Sequence, residues 1–433
     1  MPERIYPGPA TIHRYTLENG IVVLVYENFT AASVVVEGYV RAGALSEGRE
    51  QAGLADFVAS MLLRGTERRS FDDIYDALES VGAGLSLSAG RHVTDFSGGG
   101  LAEDLDLILD LLAETVRRPT FPSAQVEQVR GETLTGLQMR ANDTRRMAGL
   151  RFRELLYEDH PYGYSLRGYP ETVAALERAD LLNFHEKFYG PRGMAITVVG
   201  AVRAEEAVER VEAAFGDWRN ERWVPPPAIP PAPRPVVTLH DYVALPDKTQ
   251  SDIVLGLPGP RRSAEDYLDL SLANTILGVF GMMGRLGTSV REEQGLAYYV
   301  YSRLNGGLGP SPWYVSTGVA PDKVEQALDS IFYEIRRMQT ELVSEEELED
   351  SKTYRTGSLP VSLETNDGIA SMISDMELLE LGLDYLQRFP DLINAISAED
   401  VRTAAEKYLS TEQIALAVAG PPLADAGELE RGS

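Results

Sequence analysis

The chain of 433 residues contains no cysteine. Disulfide frameworks, thiolate zinc sites and thiol nucleophiles are therefore excluded. Histidine is scarce: His13, His92, His160, His185 and His240 are the five, and no two fall within five positions of each other. No helix can then offer two imidazoles at i and i+4, the spacing that seats one metal ion. A G-x-x-x-x-G-K-[ST] phosphate loop and a G-x-S-x-G nucleophile elbow are also missing. Basic charge is in deficit, with 40 Lys and Arg against 66 Asp and Glu, a net charge of −26. A field of that sign repels a phosphate backbone, which argues against nucleic acid, and it would draw a cationic peptide. No apolar run approaches the ~18 residues of a membrane span. The N-terminal stretch has neither an apolar core nor an Arg-rich amphipathic pattern, so a cytoplasmic protein is expected.

What is present suits a globular chain, with 44% hydrophobic residues, enough for a large core. From Pro225 to Pro235 the sequence PPPAIPPAPRP holds seven prolines in eleven residues. Such a run cannot join a sheet or continue a helix, and reads as a semi-rigid spacer. On either side lies an internal repeat. EKFYGPRGMAITVVG at 186–200 matches EKYLSTEQIALAVAG at 406–420, an offset of 220. Pro170 meets Pro390, each expected to start a short helix, and Asp180 meets Asp400. SAQVEQ from Ser123 and SEEELE from Ser344 are a further pair of helix starts. Three matches in order predict two homologous halves, 1–222 and 236–433, joined by a Pro-rich linker at 223–235.

Each half opens with β-rich runs. These are IVVLVYE and ASVVVEGYVRAG in the first, PVVTLHD and QSDIVLGLPG in the second. A helix follows, predicted at Gly53–Leu63 and at Ala264–Val279, the second with Ser263 as N-cap. Strands and helices then alternate, giving an α+β layered half with helices on one face of the sheet. The last residues, ADAGELERGS, read as a frayed acidic tail. Gly98–Gly100 read as a flexible strand end, His160 as a turn-stabilising residue, and His185 as a packing or surface residue of a helix.

The stretch GLADFVASMLLRGTERRSFDDIYDALESVG, residues 53–82, resembles the signature helix of the pitrilysin/insulinase family of inverted zinc peptidases. The half-length branch that includes the mitochondrial processing peptidase is the nearest in pattern. HPYGYSLRGYPETV at 160–173 and FYGPRGMAITVVGAV at 188–202 extend the resemblance over nearly the whole chain. Active members carry H-x-x-E-H on this helix. Here the first His position is Asp56, the Glu position Ala59 and the second His position Ser60, while the distal ligand position falls near Gly136. No tetrahedral zinc site can be built from that set. The Asn-Ala pair of the family's substrate-aligning edge strand falls at Ser86-Leu87.

A second segment, ILGVFGMMGRLGTSVREEQGLAYYVYS at 276–302, resembles the one that carries the family's paired Arg and Tyr. Arg291 and Tyr298 match its seven-residue spacing. On spacing alone they also read as a salt-bridged Arg and a core Tyr. Phe280, Met282 and Met283 make the preceding glycine-bearing loop more apolar than in family members.

The resemblance implies an α+β clamshell of two homologous halves, each a mostly antiparallel sheet with helices on one face. It also implies the non-zinc subunit of a two-chain metallopeptidase, inactive alone. Arg291 and Tyr298 would bind substrate backbone and the developing oxyanion beside zinc on a partner. That partner would be a zinc-bearing paralogous subunit or, in a homodimer, a second copy; the substrate would be a peptide or unfolded polypeptide. No cofactor is expected in this chain. The alternative is a non-enzymatic binding or scaffold protein of the same fold. A lone hydrolase would need carboxylates such as Asp56 and Glu132 to hold another metal, and two carboxylates rarely generate hydroxide without imidazole or a second metal.

Overall fold

The computed structural model describes residues 6–279 and 284–422. The expected acidic tail and the apolar loop residues Phe280, Met282 and Met283 lie outside the described residues. The first half of the chain runs β1 (Ile12–Thr16), β2 (Val22–Glu27), β3 (Ser33–Val40), α1 (Leu54–Met61), α2 (Phe71–Ser80), β4 (Gly84–Ala89) and β5 (Thr94–Leu101). It continues through α3 (Leu105–Arg117), α4 (Ser123–Ala141), α5 (Thr144–Tyr157), α6 (Pro170–Ala175), α7 (Arg178–Phe188), β6 (Met194–Gly200) and α8 (Ala204–Phe215). The second half runs β7 (Leu239–Ala244), β8 (Ser251–Pro258), α9 (Tyr267–Asn274), β9 (Ala297–Leu304), β10 (Pro312–Val319) and α10 (Val324–Thr340). It closes with α11 (Glu345–Ser362), α12 (Asn366–Leu378), α13 (Tyr385–Ala395), α14 (Ala398–Tyr408) and β11 (Ala415–Gly420). The succession from α4 to β6 recurs from α11 to β11, four helices and a strand, as the repeat predicts.

Each half builds one sheet. The first has the order β1-β2-β6-β3-β5-β4, the second β7-β11-β8-β10-β9. Only β2 with β6, and β11 with β7, pair in parallel; the other neighbours are antiparallel. Both sheets are therefore mixed and mostly antiparallel, the expected α+β class. PVVTLHD becomes a strand only from Leu239 onward. Gly98–Gly100 form the C-terminal end of β5, as expected. They lie within β5 between β3 and β4, and a Cβ on Gly98 would sit 3.0 Å from Ile108 of α3, so the glycine lets that helix close on the sheet.

Strand alternation sorts the two faces of each sheet. In the first, Val34, Val36 and Val40 of β3 join a core with Leu54, Phe57, Ile108, Leu112 and Val211 from α1, α3 and α8. This is the helical layer foreseen from the sequence. Tyr39 and Ala195 point the other way and pack with Leu378 of α12. In the second sheet, Trp313 donates to Asn274 of α9 at 2.9 Å, while its neighbour Tyr314 meets Phe152 of α5 at 6.0 Å between ring centres. Each sheet thus carries, opposite its own helical layer, one helix from the other half of the sequence. The compact units follow this exchange. One is 1–137, 165–229 and 357–390; the other is 138–164, 230–356 and 391–433. They are a different division from halves cut at the proline tract.

Two local expectations differ. Ser263 does not cap α9, which starts at Tyr267 after a turn closed by Tyr267 N–H on Ala264 O. Pro390 lies inside α13 rather than at its start, at the boundary between the units. A proline there removes one rung of the helix without needing a new helix start. Ser344 does cap α11, accepting from Glu347 N–H at 3.1 Å.

Candidate functional site

The signature helix α1 begins on Gly53, whose φ of +98° is left-handed and favours glycine. Leu54, Phe57, Val58 and Met61 are buried in the core, and this apolar stripe fixes the helix rotation. Glu47 caps it from outside: its carboxylate accepts Gly53 N–H at 2.9 Å and Ala55 N–H at 2.7 Å. Burial pushes the Glu47 carboxyl up to about 7, outweighing both hydrogen bonds.

The stretch 160–173 docks on the start of this helix. Thr172 Oγ1 donates to Ala52 O at 2.7 Å. Gly168 has φ +71°, and a Cβ on it would lie 2.2 Å from Ala52 O. That close approach holds the neighbouring Arg167 over α1. Its Nε lies 3.8 Å from Asp56 Oδ2, and its Nη1 would be 3.9 Å from a Cβ on Gly136 of α4. Burial raises the Asp56 carboxyl above its ordinary value, with Arg167 pulling it the other way.

Asp56, Gly136 and Arg167 therefore come together, with the guanidinium near both Asp56 and Gly136. Ala59 is buried and Ser60 exposed on the same helix. A zinc ion does not fit this set. It offers one carboxylate and no imidazole, and the guanidinium would repel a dication. Among the described residues no group of three or more His, Asp or Glu could hold a metal ion. The histidines have other work. His160 Nδ1 accepts Tyr162 N–H at 3.1 Å and its Nε2 lies 3.0 Å from Pro230 O, the turn role expected. His185 packs: it bonds Val116 O at 2.8 Å and stacks on Tyr189, and burial lowers it to about 4.

Ser86 and Leu87 lie on β4, the edge strand of the first sheet, and α1 packs against that strand. Arg291 and Tyr298 belong to the second sheet's rim. Arg291 sits in a π-helical segment, Gly287–Glu293. Its carbonyl accepts Gly295 N–H at 3.0 Å, and this turn leads into β9, the other sheet's edge strand. Tyr298 is 84% exposed, so it is not a core residue. Arg291 is half-buried, with Glu292 at 3.9 Å.

Sequence reasoning missed two features. Arg167 lies within HPYGYSLRGYPETV, but nothing in one sequence says that residue 167 reaches position 56. The other is a buried polar cluster between α5 and the second sheet. Asp252, 1% exposed, accepts from Thr144 at 2.5 Å, from Gln250 at 3.1 Å and from Tyr299. Arg145 covers the Tyr299 ring at 4.5 Å and donates to Tyr301 at 3.0 Å. Burial pushes the Tyr301 phenol up, but the bonds from Arg145 and Ser316 outweigh it and hold it below its ordinary value.

Comparison with known proteins places these features. Residues 22–168 match the insulinase (peptidase family M16) model, and residues 175–354 match the peptidase M16 inactive domain. An uncharacterized zinc protease of Mycobacterium leprae is 29% identical over 416 residues, covering 95% of this chain and 92% of that protein. Another from Bacillus subtilis, YmxG, is 25% identical over 410 residues, covering 95% and 98%. The crystal structure of a peptidase M16 inactive domain from Pseudomonas fluorescens superposes with TM-score 0.89 at 24% identity, covering 95% of this chain and 98% of that one. A Helicobacter pylori protease gives TM-score 0.90 at 19% identity, covering 96% and 100%. With both domain models matched in order along one chain, the chain belongs to the M16 (insulinase) family of peptidases.

Proposed function

We propose that this chain is the zinc-free subunit of a two-chain peptidase, binding substrate for a zinc-bearing partner. The observation that carries this reading is the contrast between its two rims. Over α1 a guanidinium stands near Asp56 and Gly136, which disfavours a dication there. At the start of β9, Tyr298 is exposed and the half-buried Arg291 is held only by a long contact to Glu292. A fixed guanidinium and a phenol are strong donors for backbone carbonyls and for charge that appears only in the transition state. The edge strand β4 presents unpaired backbone groups to which an extended peptide can add. Metal-polarised water is the chemistry the partner would supply; this chain binds and orients.

The experiment is capture of the intact chain from native lysate, with partners identified and their zinc measured. A zinc-bearing chain of similar length at one-to-one stoichiometry, whose peptidase activity falls at least a hundredfold with Arg291→Ala, supports the reading. Self-association alone, or an Arg291→Ala complex with full activity, refutes it and leaves a binding or scaffold protein of the same fold.

A further inference from the structure

The segment that carries Arg291 is tethered through a buried ion pair. Arg285 and Leu286 are helical and lead straight into the π-helical turns of Gly287–Glu293. Arg285 is only 8% exposed. Its Nε and Nη2 grip the two carboxylate oxygens of Glu347, in the first turn of α11, at 2.7 and 2.9 Å. The guanidinium holds the Glu347 carboxyl down at about 2. The same carboxylate accepts Ser344 N–H at 3.0 Å, so the bridge ends on the cap of α11 rather than on a loose side chain. At the far end of the segment, Gln294 Nε2 donates to Ser330 Oγ of α10 at 2.9 Å and back to Ser289 O at 3.0 Å. Arg291 thus lies between two tethers.

The ion pair is a poor source of stability. A buried pair often does no better than apolar residues of the same volume. Arg285 Nη1 is also buried without a hydrogen-bond partner, which is a further cost. What a planar guanidinium fork does well is fix one geometry. Here a winding needs fixing. A π-helix closes i→i+5 bonds in place of i→i+4, is rare, and gathers at functional sites. Rewinding one such turn as α-helix would shift the chain by one residue, ~100° of rotation about the helix axis. Arg291 would then be re-aimed relative to Tyr298. The link between them is the turn in which Arg291 O accepts Gly295 N–H and Val290 O accepts Leu296 N–H, each at 3.0 Å.

We propose that Arg285 is a positioning residue: its bridge to Glu347 keeps the segment in its π-helical winding and so holds Arg291 at the aim that substrate requires. Arg285 touches no substrate itself. The role rests on the subunit reading above and deepens it, by naming what keeps the Arg291 and Tyr298 rim in register.

The test replaces the pair by apolar residues, Arg285→Met/Glu347→Leu, so that no charge is left alone. Hydrogen exchange of the full chain, read by mass spectrometry, should quicken at least ~tenfold over 287–296 and stay unchanged in α10, with no fall in melting temperature. In the zinc-bearing complex captured from native lysate, with dye-quenched casein as the unfolded substrate, kcat should drop at least ~tenfold with KM within ~threefold. Placed on Arg291→Ala, the double change should lower kcat no further, because a residue that acts through Arg291 has nothing left to aim. Unchanged exchange, or a loss that multiplies that of Arg291→Ala, overturns the positioning role and leaves the subunit reading standing. A lowered melting temperature with exchange quickened throughout the unit makes the pair structural and overturns it too. Full activity of Arg291→Ala alone, or capture of no zinc-bearing complex, is failure of the subunit reading, and the positioning role falls with it. If the double variant does not fold, Arg285→Lys, which keeps the charge and loses the fork, is judged by the same outcomes.

Discussion

Glu47→Gln probes how the signature helix is held. The native carboxylate is buried and accepts two backbone N–H groups from the first turn of α1. Burial nevertheless moves it from its ordinary 4.5 to about 7. A raised carboxyl binds its proton more tightly in the folded state. Its contribution to stability is thus fully present below about pH 4.5 and is lost as pH rises through about 7. That displacement corresponds to ~3 kcal/mol, of which ~2–3 kcal/mol falls between pH 5 and 8.5. Glutamine keeps the shape and one acceptor but cannot ionise. The variant should be less stable than the parent at pH 5, because one N–H loses its acceptor, and should gain on the parent as pH rises. In a unit of about 240 residues the melting-temperature difference should swing by ~5–10 °C across that range. Glu37 and Asp95 are raised in the same direction, but they are present in both proteins and cancel in the difference. Thermal unfolding by circular dichroism at both pH values is the assay. A difference that does not change with pH would show that the helix N-terminus keeps Glu47 ionised, and would refute burial as the dominant effect.

Gly168→Ala should destabilise the first unit by at least ~2 kcal/mol, through a left-handed φ and a Cβ driven into Ala52 O. The melting temperature should fall by ~4–8 °C, and an unchanged value would contradict the docking of 160–173 on α1. Tyr298 is exposed and Arg291 is half-buried with only a long ion pair, so Arg291→Ala and Tyr298→Phe should each alter stability by less than ~0.5 kcal/mol. A larger loss in urea unfolding would make them structural residues instead.

The repeat at an offset of 220 was legible because it lies in capping and strand residues, where local chemistry dictates the choice. Ser344 caps its helix and Ser123 opens the matching one, as their place in the repeat suggests. The exchange of α5 and α12 between sheets was not legible. Periodicity says which face of a helix is apolar, not which sheet that face meets. The face of α5 is also polar, carrying Arg145 and Arg151, whose partners Tyr301 and Asp241 lie 156 and 90 positions away. Asp56, Ala59, Ser60 and Gly136 were legible only through the resemblance to the family's signature helix, since periodicity alone does not say which positions of α1 and α4 would face a metal. Arg167 was not legible at all, because its position over Asp56 depends on the close approach of Gly168 to Ala52. The exposed placement of Tyr298 needed the strand order, which makes β9 an edge.

The measurement that goes most directly to the central claim is the zinc content, by inductively coupled plasma mass spectrometry, of the chain purified alone and of the complex captured from native lysate. The account predicts less than about a tenth of an equivalent in the lone chain, and one equivalent per pair in the complex. A full equivalent of zinc retained by the lone chain would contradict it.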